Sequence, residues 1–132
     1  ISKSKKNVVR GLHMQTKIKQ ELFVSVLKGK IFDVIVDLRP RSRSFGKYKI
    51  NILSEKNANS LYVPKGFAHG FCALEKENIV LYGISNYRSK KNELGIIWND
   101  RELNINWPII NPIISKKDKK NLTFKKYKKT YL

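Results

Sequence analysis

Apolar and polar residues alternate through much of the first two thirds of the chain, with the two-residue period of a β-strand. In the segment 30–38 every even position is apolar, so we predict that the strand buries the face formed by Phe32, Val34, Val36 and Leu38. Alternation and β-branched or aromatic residues predict further strands at 22–27, 48–52 and 78–85. No segment of about 12 or more residues keeps the helical period. The pattern indicates an all-β protein.

Short polar segments separate the predicted strands, at 28–30, 44–47, 54–60 and 75–78. Several short strands joined by such turns are typical of a sandwich or barrel, and double-sheet jelly rolls are common among these. From Asn86 on the pattern is less regular, and we expect Trp98 and Trp107 to pack over one end of the barrel. No repeat or linker divides the 132 residues, so we predict a single domain over residues 1–132.

The charge of the chain is strongly positive, because 28 Lys and Arg oppose 10 Asp and Glu to give a formal net charge of +18. Eight of the lysines follow Ser115, where only Asp118 opposes them. The final residues, 119–132, form a basic tail for which the pattern predicts no regular structure. Such a tail fits either an arm that binds nucleic acid or an acidic membrane, or a solvated end in a lysine-rich protein.

The cysteine content and the hydropathy of the chain indicate the cellular compartment of the protein. Cys72 is the single cysteine, which excludes an internal disulfide and fits a reducing cytoplasm. No stretch approaches the roughly 18 consecutive apolar residues of a membrane span. We therefore expect a cytoplasmic protein that does not insert into a membrane.

The two histidines lie in short, unusual segments. Alternation puts His69 on the same strand face as Phe67 and Phe71, where it is either a core residue or a pocket residue. A regular strand would point Arg10 and His13 to opposite faces, but a bulge after Arg10, at the glycine of Arg-Gly-Leu-His, could turn both inward. Two isolated histidines fall short of the three ligands of a catalytic metal site, so no metal is predicted.

Several motifs occur in order from residue 7 to about residue 120. They are Arg10-Gly11-Leu12-His13-x-Gln15, Phe32-Asp33-Val34-x-Val36-Asp37-Leu38-Arg39, Pro64-x-Gly66-Phe67-Ala68-His69-Gly70-Phe71, Trp98-Asn99-Asp100, Trp107-Pro108 and Ser115-x-Lys117-Asp118. Together they closely resemble the dTDP-4-dehydrorhamnose 3,5-epimerase family. The resemblance implies a cupin-type jelly roll, a homodimer, no metal or other cofactor, and epimerisation of a nucleotide-linked 4-keto-6-deoxy sugar in rhamnose-type deoxysugar biosynthesis.

The resemblance also assigns roles to individual residues. By position, His13 resembles the family's catalytic base, Asp118 the carboxylate that orients it, and Tyr82 the acid that returns a proton to the opposite face of the sugar. Four further residues fall where the family contacts the diphosphate and the sugar: Arg10, His69, Glu93 and Lys117. A diphosphate is well matched by a guanidinium group.

Three features depart from the family pattern. Leu22 stands where the family has a lysine thought to stabilise the enolate, and the segment before it is one residue shorter, so that Lys17 or Lys19 could reach in. Arg88 replaces a tyrosine that stacks on thymine in the family, although arginine also stacks on bases. In the family an arm precedes the Arg-Gly-Leu-His motif, and we expect this chain to lack that arm.

Three other functions stay open at this point. The first is an epimerase that inverts C3 or C5 alone or acts on another sugar nucleotide, and the second is a non-catalytic paralogue that binds sugar nucleotides. The third is a nucleic-acid-binding module driven by the positive charge. Such a module would display stacking aromatics in a basic groove, whereas the aromatic residues here lie mostly on alternating core faces, so no nucleic-acid partner is predicted.

Overall fold

The computed structural model describes residues 1–132, in ten β-strands and two short helices. The strands are β1 (Ser2–Lys5), β2 (Val8–Gln15), β3 (Leu22–Lys28), β4 (Lys30–Asp37), β5 (Tyr48–Ser54), β6 (Ser60–Val63), β7 (Phe67–Ala73), β8 (Glu77–Ile84), β9 (Glu93–Gly95) and β10 (Ile113–Ile114). The helices are α1 (Lys116–Lys119) and α2 (Phe124–Tyr131), and a 3-10 turn covers Lys90–Asn92. Neither helix is long and apolar enough to cross a membrane.

The strands form two sheets that pack face to face. One sheet has the order β1-β8-β3-β6, and the other contains β10-β2-β7-β4-β5, with β9 also paired to β2. Every pairing is antiparallel except the short one between β10 and β2. The four strands predicted from alternation are present as β3, β4, β5 and β8, with bounds within one or two residues of the prediction. The predicted all-β, double-sheet fold is confirmed.

Buried apolar side chains from both sheets fill the space between them. The four-stranded sheet contributes Val24, Val26, Val63 and Val80, and the six-stranded sheet contributes Ile31, Ile35, Leu53, Phe71 and Ala73. These residues come from strands far apart in sequence, so this inner core forms only when the two sheets meet. It fills part of the sandwich and leaves a cavity beside it.

A second core lies on the outer face of the six-stranded sheet. The predicted face of β4 belongs to this outer core, under the C-terminal region: Phe32, Val34, Val36 and Leu38. Its burial is confirmed, but the opposite face of β4 is buried as well, and that face, with Ile31 and Ile35, points between the sheets. Trp98 and Trp107 also pack on the outer core, with Trp107 5.9 Å from the ring of Phe32. The expectation that the two tryptophans cover one end of the barrel is therefore wrong, because the C-terminal region covers a sheet face instead.

The basic tail folds against the same outer core. Thr123 caps α2 by accepting a hydrogen bond from the Lys126 backbone, and Phe124 and Tyr127 are buried one turn apart. The lysines of α2 lie on its outer side, mostly exposed. The tail is thus an amphipathic helix that closes the outer core.

A buried carboxylate, that of Asp37, ends β4. Asp37 accepts hydrogen bonds from the backbone and guanidinium of Arg39 at 2.8–3.0 Å and from the hydroxyls of Ser42 and Ser44 at 2.5 Å. Burial opposes the ionisation of Asp37, but these donors hold its pKa far below its ordinary value. The carboxylate therefore anchors the turn that joins β4 to β5.

Candidate active site

A cavity of about 720 Å³ opens between the two sheets, next to the inner core. Strands of both sheets and the segment that begins α1 line it. All eight residues predicted from the family resemblance line this one cavity: Arg10, His13, His69, Tyr82, Arg88, Glu93, Lys117 and Asp118. The structure brings them together from five separate parts of the chain, and their individual roles stay predictions.

A bulge in β2 brings Arg10 and His13 to the same cavity. The register between β2 and β7 shifts between these two residues, as predicted from the glycine between them. Gly11 adopts φ +113°, and a Cβ there would lie 2.6 Å from the Cα of Gly70 on β7. Two glycines are therefore required where the strands approach most closely, and their contact sets the direction of His13.

His13 and Asp118 form the first of two histidine–aspartate pairs. The Nε2 atom of His13 lies 2.6 Å from Oδ1 of Asp118, and Oδ2 of Asp118 accepts a hydrogen bond from the Gly11 backbone at 3.0 Å. Burial opposes the ionisation of Asp118, but hydrogen bonds from His13 and Gly11 hold its pKa below its ordinary value. The pair leaves Nδ1 of His13 as the ring nitrogen available to a ligand.

His69 and Asp33 form the second pair. His69 lies directly opposite His13 in the β2–β7 ladder, and its Nε2 atom is 2.6 Å from Oδ2 of Asp33 on β4. The side chains of Asp33 and His69 are 0% and 7% exposed. His69 was predicted from the sequence as a site residue, but Asp33 was not. The available signal was an acid in the middle of a buried apolar strand, because such acids are almost never buried without a partner.

Tyr82 faces these histidines from the other sheet. It lies on β8, and its ring centroid is 6.2 Å from that of His69 in an edge-to-face arrangement. Burial, and then the charge of Asp33, raise the pKa of Tyr82 above its ordinary value. The phenol therefore keeps its proton at neutral pH, as a proton donor must.

Three charged residues meet at another part of the cavity wall. Arg88 donates two hydrogen bonds to the carboxylate of Glu93, at 2.6 and 3.0 Å, and Lys117 pairs with the same carboxylate. Burial opposes the ionisation of Glu93, but these two cations hold its pKa below its ordinary value. The cluster carries a net positive charge and leaves Arg88 and Lys117 about half exposed, within reach of an anion.

Leu22, the departure from the family pattern, also lines the cavity. Lys17 and Lys19, which the shortened segment could have brought in, do not line it. Position 22 thus faces the cavity with an apolar side chain where the family has a lysine.

Arg10, on the same cavity, is held by the Ser4 hydroxyl at 3.0 Å and by the Lys3 carbonyl.

Comparison with known proteins gives the same family over almost the whole chain. The family model described as dTDP-4-dehydrorhamnose 3,5-epimerase matches residues 1–126. A relative from Shigella flexneri, named dTDP-4-dehydrorhamnose 3,5-epimerase, is 47% identical over 118 residues, which are 89% of this chain and 65% of that protein. The chain thus spans about two thirds of the length of this relative.

Solved structures agree with this match. The crystal structure of dTDP-4-dehydrorhamnose 3,5-epimerase from Elizabethkingia anophelis superimposes with a TM-score of 0.92 at 41% identity, covering 95% of this chain and 70% of that one. An epimerase from Legionella pneumophila, solved in complex with dTDP-4-keto-L-rhamnose, superimposes with a TM-score of 0.89 at 40% identity, covering 92% and 65%. The fold is therefore the cupin-type jelly roll of these enzymes, and the chain belongs to the dTDP-4-dehydrorhamnose 3,5-epimerase family.

Proposed function

We propose that the protein is an epimerase of a nucleotide-diphosphate-linked 4-keto-6-deoxy sugar and inverts C3, C5 or both. The observation that carries this proposal is the position of two proton-transfer groups on opposite walls of one cavity. His13, paired with Asp118, lies on the six-stranded sheet, and Tyr82 lies on the four-stranded sheet. A sugar ring held between the sheets would present one face to each group.

The reaction needs this two-sided arrangement. A proton on the carbon beside the C4 ketone is acidic because the electron pair left behind moves onto the ketone oxygen, forming an enolate. Nδ1 of His13 takes the proton, and the resulting imidazolium is stabilised by Asp118. The enolate collapses when the carbon takes the phenolic proton of Tyr82 on its other face, which inverts the centre. Solvent then restores the proton of Tyr82 and takes up the proton held by His13.

The charged residues of the cavity wall fit the remainder of such a substrate. We assign Arg10, Arg88 and Lys117 to the diphosphate, since guanidinium and ammonium groups bind phosphate oxygens by charge-assisted hydrogen bonds. Glu93 holds Arg88 and Lys117 in place, as its hydrogen bonds to both show. Because Arg88 replaces the tyrosine that stacks on thymine in the family, we also propose that it can stack on the nucleobase. His69 is assigned to the sugar.

We also propose that the protein is a homodimer of the cytoplasm. The outer face of the four-stranded sheet carries large apolar side chains on three adjacent strands, with Phe23 directly opposite Tyr62. Phe23 is 52%, Tyr62 53% and Leu81 39% exposed. Such a contiguous apolar face supports burial against a second copy. The free, buried thiol of Cys72 supports a reducing compartment. Light scattering of the protein and of Phe23→Glu tests the dimer, and a wild-type monomer would contradict it.

Proton NMR in deuterated water tests the activity. The full-length protein is mixed with a panel of 4-keto-6-deoxy sugar nucleotides, and each carbon that exchanges its proton marks one deprotonation site. We expect exchange at C3, C5 or both, and none with the His13→Asn variant. If no member of the panel exchanges faster than with His13→Asn, the epimerase proposal is wrong and a non-catalytic sugar-nucleotide-binding protein replaces it.

Leu22 favours a second candidate, an epimerase that inverts a single centre or prefers another sugar. Without a cation at this position the enolate receives less stabilisation, and removing one such donor typically slows a reaction by about 10²–10³. Leu22→Lys is expected to accelerate exchange by a comparable factor, with Leu22→Met as the size-matched neutral control. Equal rates in both variants would show that another group already stabilises the enolate.

A further inference from the structure

Two buried polar atoms on neighbouring strands have no hydrogen-bond partner. They are Oδ1 of Asp33, which can only accept when ionised, and Nδ2 of Asn51, which can only donate. Asp33 and Asn51 are directly opposite each other in the β4–β5 ladder. Side chains of directly opposite residues share a sheet face, with Cβ atoms about 4.5–5.5 Å apart. One unpaired acceptor therefore lies beside one unpaired donor.

The other oxygen of Asp33 is committed to His69. Oδ2 lies 2.6 Å from Nε2 of His69, and His69 lines the cavity. Asp33 itself is fully buried and does not line the cavity. The three residues thus form a row from the edge strand β5, through β4, to β7 and the cavity.

We propose that Asn51, Asp33 and His69 form a buried relay that fixes which nitrogen of His69 faces the substrate. Asn51 donates to Oδ1 of Asp33, directly or through a water molecule, and so holds the carboxylate with Oδ2 toward His69. The carboxylate in turn keeps the proton of neutral His69 on Nε2. His69 then meets the cavity with Nδ1, and Asp33 and Asn51 act as positioning residues.

The surroundings of His69 explain why its orientation matters. The groups that face it are Asp33 from β4, Tyr82 from β8 at 6.2 Å between ring centroids, and His13 opposite it on β2. Of the cations lining the cavity, Arg88 and Lys117 are paired with Glu93, Arg10 is held by Ser4, and Lys3 lies on the edge strand β1. With its proton on Nε2, neutral His69 offers Nδ1 to the cavity as a hydrogen-bond acceptor, between His13 and Tyr82. A fixed Nδ1 therefore suits it to hydrogen-bond the sugar there, a role that rests on the proposed function.

The relay itself can be tested without a substrate. The chain has two histidines, so ¹⁵N-histidine NMR of the protein shows two sets of ring signals, and His13→Asn assigns them. We expect neutral His69 as the Nε2–H tautomer, with an Hε2 resonance protected from solvent exchange. Asp33→Asn should mix the two tautomers, and Asn51→Leu should broaden the Hε2 resonance. Lys49→Leu, an exposed change on the same face of β5, is the matched control and should alter neither.

Kinetics of solvent exchange into the sugar provide the second measurement. Asp33→Asn is expected to lower kcat about ten- to a hundredfold, the scale of losing the hydrogen-bonded partner that orients a histidine in a site, with little change in KM. Asn51→Leu should lower kcat about tenfold, the scale of one hydrogen bond to a charged group, and should add nothing in the Asp33→Asn background. A purely structural role would give additive losses, and circular dichroism identifies any variant that fails to fold.

The outcomes separate the two proposals. If the NMR changes occur but no sugar nucleotide exchanges with the wild-type protein, the relay stands and the epimerase proposal falls. If exchange occurs but His69 keeps one tautomer in Asp33→Asn, or Asn51→Leu behaves as Lys49→Leu does, the relay is wrong. Additive kcat losses for Asn51→Leu and Asp33→Asn would also overturn it.

Discussion

Buried aspartates serve two different purposes in this protein. Asp37 takes its partners from its own turn, within seven residues along the chain, and these donors saturate its carboxylate. Asp118 and Asp33 instead pair with histidines 105 and 36 positions away, which line the cavity. All three side chains are at most 5% exposed. Burial of a carboxylate therefore does not identify a functional group, whereas the identity and remoteness of its partner do.

The physical difference lies in what the partner can do. Arg39 remains protonated at any ordinary pH, so its contact with Asp37 is a permanent cross-link. A histidine exchanges its proton near neutral pH and has a second ring nitrogen for a substrate. The turn after β4 thus contains permanent contacts, whereas the cavity wall contains groups that can gain and lose a proton. Substitutions in the cavity wall should lower activity more than stability, and substitutions in the turn should lower stability more than activity.

The largest expected effect is on the cavity side of this comparison. His13→Asn should lower solvent exchange into the sugar at every reactive carbon by up to about 10⁴, the upper range for loss of a general base. Its thermal midpoint should stay near that of the wild type, since the side chain of His13 is 30% exposed and outside both cores. NMR in deuterated water and thermal denaturation measure the two quantities. Retention of more than a few per cent of the exchange rate would remove His13 from the role of base.

Tyr82→Phe should separate two steps that His13→Asn abolishes together. Deprotonation by His13 continues, so solvent deuterium still washes in with retained configuration, while inverted product falls by about 10²-fold or more. The ratio of inverted to retained product, read by NMR, is the measurement. Tyr131→Phe, in α2 and away from the cavity, is the control, since Tyr131 is likewise a tyrosine but is exposed. Equal loss of wash-in and inversion would contradict the assignment of the two faces.

Asp37→Asn should give the reverse result. The variant keeps its shape but loses the charge-assisted hydrogen bonds of the turn, at a cost of about 2–3 kcal/mol in the free energy of unfolding. Exchange into the sugar at saturating substrate should stay within a few-fold of the wild type, because Asp37 does not line the cavity. Urea denaturation and the NMR exchange assay check the two halves. A variant of normal stability, or one that is folded but inactive, would remove the distinction between the two regions.

The smallest expected effect is a difference in pH dependence. Asp37 and Asp118 both have a pKa below the ordinary value in the folded protein, that of Asp37 much further below. Each therefore stabilises the fold fully above its unfolded pKa, and this contribution disappears as the pH falls through its folded pKa. The stability difference between wild type and Asp118→Asn should vanish at a higher pH than that between wild type and Asp37→Asn. Urea midpoints between pH 5 and 2 test this order, which the reverse sequence of losses would contradict.

Much of the fold could be predicted from local patterns of apolar and polar residues in the sequence. Alternation located β3, β4, β5 and β8, because a strand with one polar and one apolar face repeats every two residues. For β4 the same rule was incomplete: both faces are buried, one between the sheets and one under the C-terminal region. A sequence pattern shows that a face is apolar but not which part of the molecule covers it. The helix in the basic tail was not predicted for the same reason, since its eight residues are stabilised by contact with the outer core.

The candidate site divides in the same way. The sequence by itself, through its motifs, determined the family and predicted eight residues that line one cavity, and it anticipated the bulge that turns Arg10 and His13 to one side. Only the tertiary structure decided that Asp33 pairs with His69 and lies beside Asn51, and that Leu22 lines the cavity while Lys17 and Lys19 do not. The reason is physical: motifs record side chains that are neighbours along the chain, whereas hydrogen-bond partners of buried groups are set by strand register and sheet packing, which join residues from remote parts of the sequence.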